Sequence, residues 1–143
     1  MTENPLLRSG LALDGANQLQ SGSEDGILTA LEATDLDLHG TQLVVLSACE
    51  TGVGEVRPGD GVHGLRRALV IAGAESLLMT LWQVDDEATK TLMIAYYKAL
   101  NQGAGRAQAL RQVQLKLLRH ERFKHPFYWG AFIAAGRWQP LRQ

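Results

Sequence analysis

Two hydrophobic periods divide the chain. In residues 41–48, TQLVVLSA, apolar side chains occupy both faces of the run and β-branching is frequent, which predicts a central strand of a covered, mostly parallel sheet. Residues 75–84, ESLLMTLWQV, repeat the pattern and predict a second buried strand. Residues 9–17, SGLALDGAN, alternate and run into Asp14-Gly15, the signature of a short strand entering a turn. The weak helical period of 27–36 predicts a helix of about two turns. QSGSEDG, 20–26, is a polar loop, and YWGAFIAAG, 128–136, reads as a last apolar strand.

Three stronger helical periods lie between these strands. Val62, Leu65, Leu69 and Ala72 share one face of a helix that Asp60 can cap and Gly73 closes. Asp85 or Asp86 caps the next, Glu87 suits its first turn, Ala88, Leu92, Ala95, Tyr96 and Ala99 face inward, and Gly103 ends it. The third covers about 105–122 with Leu110, Val113, Leu117 and Leu118 inward, and Pro126 breaks the pattern. The order β-α-β-α-β-α-α-β is that of a layered α/β sandwich, and two helices before the final strand leave its direction open.

A length of 143 residues suits one domain with a real core. A net charge of −1 offers no footprint for nucleic acid or an anionic membrane. Arg106, Arg111, Lys116, Arg119, Arg122 and Lys124 follow helical spacing and read as a solvated face. No apolar run reaches the ~18 residues of a membrane span, and residues 1–20 lack a signal pattern. A single cysteine, Cys49, excludes an internal disulfide and a multi-thiolate zinc site and fits a reducing, cytoplasmic setting. No cofactor or metal is expected.

Chemistry concentrates where the first buried strand stops. A right-handed crossover makes the two central strands parallel, so Cys49 at the end of one and Gln83, Asp85 and Asp86 at the end of the other share a sheet edge. A sharp strand-to-loop turn lifts a nucleophile clear of the sheet, and Ser47 and Ala48 are small enough for a substrate backbone to approach. Equally, a free cysteine can simply end a buried strand. GVGEVRPGDG lacks the lysine and Ser/Thr of a P-loop and the spacing GxGxxG, so loop mobility is a better use of its glycines than phosphate binding.

The boxes SACETG, LWQVDD and HPFYWGAFIAAG, in this order and preceded by NPLLRSGLAL, resemble the second half of a CHAT domain. CHAT domains are caspase-like cysteine peptidases of bacteria, related to caspases, gingipains and separase, and often joined to tetratricopeptide repeats. The resemblance covers nearly the whole chain, 1–143, as the C-terminal part of one such domain. It implies a caspase-like three-layer α/β/α sandwich with a mostly parallel central sheet, its N-terminal strands missing. It implies Cys49 as the nucleophile of a cysteine endopeptidase acting on peptide or protein substrates. The family's histidine belongs to a His-Gly turn ahead of NPLLRSGLAL, so weak or absent activity is expected of this chain alone.

His63 is the candidate substitute base, against a plain helix-surface role. His39 precedes the first central strand and should sit at the far sheet edge, while His120 and His125 flank the break before the last strand, His125 in a structural role. By likeness to separase, Asp86 and then Asp85 are candidates for the wall that receives a basic side chain, against helix capping. Trp82 lines that pocket or belongs to the core, and Glu50 shapes its mouth or is merely solvated. The alternative function is a non-catalytic, CHAT-derived interaction module. Truncation of the sheet would leave an open edge, so a homo-oligomer is expected, with an upstream fragment or a tetratricopeptide-repeat protein as the other candidate partner.

Overall fold

The computed structural model describes residues 5–7, 9–13, 16, 26–47 and 60–142. Asp14-Gly15, most of the 20–26 loop, and the stretch from Ala48 to Gly59 with Cys49 and Glu50 lie outside the described residues. The chain divides into two compact units, Met1–Thr41 with Glu50–Ala74, and Gln42–Cys49 with Glu75–Gln143.

In the first unit, β1 (Gly10–Ala12) pairs antiparallel with β2 (Ile27–Thr29). Residues 27–36 therefore open as a strand rather than a helix. The switch is written in Thr29 and Glu32, which form a capping box: Glu32 N–H donates to Thr29 Oγ1 (3.2 Å) and Thr29 N–H donates to Glu32 Oε2 (2.8 Å). Only α1 (Ala30–Ala33) follows, a single turn. The helix α2 (Asp60–Ile71) begins with Asp60 as its first residue, so the cap position precedes Asp60 and lies outside the described residues. Leu65 and Ala68 of α2 close with Ala30 and Ala33 into a small core, against which Leu6, Leu11 and Leu28 pack. Leu69 and Ala72 are buried too, as their spacing requires.

The second unit holds a three-stranded sheet ordered β3 (Val44–Leu46), β4 (Ser76–Thr80), β5 (Phe132–Gly136). β3 and β4 run parallel in the register Val44↔Leu77, Val45↔Leu78, Leu46↔Met79. β5 runs antiparallel to β4, from Thr80↔Phe132 to Ser76↔Gly136. The described pairings are thus mixed: one parallel, two antiparallel across the two sheets. Every residue of β4 is buried, as its continuous apolar run predicts. The last strand starts at Phe132 rather than Tyr128, because Pro126–Tyr128 forms a 3-10 turn first.

Helices α3 (Asp86–Asn101) and α4 (Arg106–Leu118) bury Ala88, Leu92, Tyr96 and Leu100 of one and Ala109, Leu110, Val113 and Leu117 of the other in a common core with Leu78, Phe123 and Phe132. Leu118 is exposed, and Arg106 takes an inward position instead, at 2 % exposure. The basic residues thus do not all belong to a solvated face; Arg111, Lys116, Arg119, Arg122 and Lys124 do. Arg106 is retained inside by partners the local pattern does not reveal. Its Nη2 lies 3.5 Å from Glu75 Oε2, Arg137 Nη1 lies 3.8 Å from the same oxygen, and Arg142 Nη2 pairs with Glu75 Oε1.

The hydrogen bond from Arg142 holds the Glu75 carboxyl below its ordinary value of 4.5, with Arg137 and Arg106 acting in the same direction against the cost of burial. A folded-state pKa below the unfolded one gives stability that is fully present above pH 4.5 and lost as pH falls beneath it. Urea midpoints measured downward from pH 6 should fall across that window, and the fall should be shallower in Glu75→Gln.

Candidate functional site

Parallel pairing settles where β3 and β4 end. Leu46 stands opposite Met79, so the two strands leave the sheet at one edge, the first through Ser47 and the second through Leu81 and Trp82. Ser47 is already exposed. Cys49 and Glu50 follow within three residues, and both lie outside the described residues. The antiparallel β5 begins at this same edge, since Phe132 pairs with Thr80. Its direction carries the 3-10 turn Pro126–Tyr128 to the place where Trp82 emerges.

Trp82, Gln83, Val84, Asp85, Phe127 and Tyr128 line an open cleft of about 820 Å³, within the size range of small-molecule and side-chain sites. Trp82 is 38 % exposed, past the end of the strand rather than in the core, and its Nε1–H donates to the Phe127 carbonyl (3.1 Å). The Phe127 and Tyr128 rings meet edge to face, centroids 5.6 Å apart. The wall is aromatic with one carboxylate, a surface suited to a side chain that combines apolar length with positive charge.

Asp85 is the N-cap of α3, its Oδ1 accepting from Ala88 N–H at 3.0 Å. The same residue lines the cleft, so one carboxylate oxygen is committed to the helix and the other has no such duty. Asp86 is the first residue of the helix, is exposed, and is not among the lining residues. Capping and cleft lining therefore coincide in Asp85. Asp85→Ala should lower stability by about 1 kcal/mol in urea titration, Asp85→Asn should keep most of the cap, and Asp86→Ala should cost no more than about 0.5 kcal/mol.

The histidines have separate positions. His63 is exposed on α2. His39 is exposed with Nδ1 3.0 Å from Asp37 Oδ1, and the bond from the His39 amide, with the ring, holds the Asp37 carboxyl below the usual carboxylate range. His120 Nδ1 accepts from the N–H groups of Arg122 (3.2 Å) and Phe123 (3.4 Å), and its ring stacks on Phe123. His125 caps the 3-10 turn, Nδ1 accepting from Phe127 N–H at 3.2 Å. Among the described residues no cluster of His, Cys, Asp and Glu could hold a metal ion, and no helix is long and apolar enough to cross a membrane.

Phe127 and Tyr128 are the site residues that sequence reasoning missed. Their signal was the HPFYWG box, whose Pro126 already interrupts the strand pattern; what concealed their role was the undetermined direction of the last strand.

Comparison with known proteins places these observations in a family. Tetratricopeptide repeat protein 28 of Homo sapiens is 34 % identical over 110 residues, 77 % of this chain and 4 % of its own length. Its Mus musculus counterpart is 33 % identical over 128 residues, 86 % of the chain and 5 % of its own. The chain thus spans about a twentieth of these relatives. Both are mammalian, so the bacterial attribution of the resemblance gains no support from them, while their names repeat its link to tetratricopeptide repeats. The family model for the CHAT domain matches residues 1–137, and the chain belongs to that family.

Proposed function

We propose that this chain carries the nucleophile-bearing part of a single caspase-like CHAT cysteine endopeptidase domain, an α/β/α sandwich in which Cys49 attacks the peptide. Membership of the CHAT family across 1–137 supports the reading, joined to one observation: the parallel ends of β3 and β4 open beside a cleft built from Trp82, Asp85, Phe127 and Tyr128. The Cys49 thiolate adds to the carbonyl carbon of a peptide bond. Backbone N–H groups at the turn receive the oxyanion. Collapse expels the amine, which takes the proton that a histidine accepted from the thiol, and water then hydrolyses the acyl-enzyme. The cleft holds a basic side chain next to the scissile bond, its stem against the aromatic wall and its charge near Asp85.

His39, His120 and His125 are engaged in local hydrogen bonds, which leaves His63 or a histidine of another segment or polypeptide as the base. The experiment is covalent labelling of Cys49 by a peptidyl acyloxymethyl ketone with arginine next to the reactive group, with a His-Gly-bearing segment supplied. Cys49→Ala must abolish labelling, and Asp85→Asn must weaken it selectively for the arginine probe. No Cys49-dependent labelling under these conditions would sink the proposal.

A second reading is favoured by the relatives' names: a non-catalytic CHAT module that binds tetratricopeptide repeats or a second copy of itself. Under it Cys49→Ala changes nothing that the protein does, whether or not the segment is supplied.

A further inference from the structure

The second unit contains another cavity, at the sheet edge opposite the Trp82 cleft, since Ser76 opens β4 and Gly136 ends β5. Its volume is about 50 Å³, and Ser76, Leu77, Tyr96, Arg106, Ala135 and Arg137 are among its lining residues. Two of these are deeply buried and incompletely bonded: the Tyr96 hydroxyl and Arg106 Nε have no hydrogen-bond partner. Tyr96 is 0 % exposed and Arg106 2 % exposed. A buried donor left without an acceptor is costly, so such a pair points to an occupant.

Both free groups are donors. Arg106 Nη1 donates to Ser76 Oγ (3.1 Å) and Nη2 to Gln42 Oε1 (3.5 Å) and lies beside Glu75, while Nε is the guanidinium nitrogen with no partner. Ser76 Oγ already donates to the Gln42 carbonyl at 2.6 Å, so it presents only lone pairs. Burial pushes the Tyr96 pKa up to about 12, so its hydroxyl keeps its proton at neutral pH. The charge balance points the same way. Arg106, Arg137 and Arg142 share the one carboxylate of Glu75, which leaves an excess of positive charge at this edge.

Size narrows the ligand. One water needs about 10–15 Å³ on this measure, so the cavity takes about three to five water-sized atoms. Formate and acetate, with three and four heavy atoms, fall in that range. We propose that the cavity is a binding site for a small monocarboxylate anion, whose oxygens accept from Arg106 Nε–H and the Tyr96 hydroxyl while its carbon end lies against Leu77 and Ala135.

Thermal unfolding of the chain at constant sodium, with gluconate exchanged for formate or acetate, tests this. Formate or acetate should raise the midpoint saturably, while gluconate, too large for the cavity, sets the baseline. Tyr96→Phe removes only the hydroxyl and should weaken the apparent Kd about tenfold. Arg106→Lys keeps the charge without Nε and should do at least as much, which keeps the test decisive if either variant unfolds. A midpoint that does not respond to the exchange, or a response undiminished in both variants, means that the cavity holds water only and overturns the proposal.

Discussion

Supplying a polypeptide that bears the His-Gly turn is expected to raise Cys49-dependent peptide cleavage by about 10²–10⁴-fold over the 143-residue chain assayed by itself. That factor is what positioned proton transfer contributes to acyl transfer. The magnitude follows from how the chain uses its own imidazoles. His120 and His125 turn Nδ1 into backbone N–H groups, and His39 faces Asp37. Each bond fixes the ring to a local turn. His63 alone has an exposed helical position without such a bond among the described residues. The measurement is initial rate on an arginine-containing fluorogenic peptide, with Cys49→Ala as the zero. Rapid cleavage by the chain alone, lost in His63→Ala, would assign the base to His63 instead.

Gly136→Ala is expected to destabilise the protein by about 2–4 kcal/mol. Two costs add. Gly136 has φ +87°, where a side chain crowds its own backbone by about 1–2 kcal/mol. A Cβ there would also press into the Glu75 carbonyl oxygen and lie 2.9 Å from Ser76 Cα. Neither neighbour can yield cheaply: the Glu75 carbonyl accepts from Arg137 N–H at 2.9 Å, and Ser76 is held by Arg106 and Gln42. Gly103→Ala separates the costs, because Gly103 has φ +84° with nothing near its Cβ direction. It should lose only the backbone part, about 1–2 kcal/mol. Urea midpoints of the two variants should differ accordingly; equal losses would show that strand β5 shifts freely away from β4.

Elements whose partners lie nearby in sequence were legible. The Asp85 cap, the inward faces of α2 and α3, the buried run of β4 and the break at Pro126 all rest on interactions spanning a few residues. Misreadings arose where a distant group outweighed the local pattern. Residues 27–29 have helix-compatible spacing, yet they pair with 10–12. Arg106 has the spacing of a surface residue, yet Glu75 and Ser76, some thirty positions earlier, hold its guanidinium inside. Trp82 counts as part of a buried strand by composition, but β4 stops at Thr80 and leaves the indole at the cleft.

The family, the order of the elements from β3 to β5, and an acid and a lone thiol following two strand-forming runs were legible in the sequence. Periodicity and motif spacing encode them, and both are local. The tertiary structure alone decided which residues share the cleft. Asp85 stands in it rather than Asp86 because helix α3 starts where the cap forms. Phe127 and Tyr128 reach Trp82 because β5 runs antiparallel to β4, and strand direction after two helices depends on how those helices pack, not on the pattern of the strand.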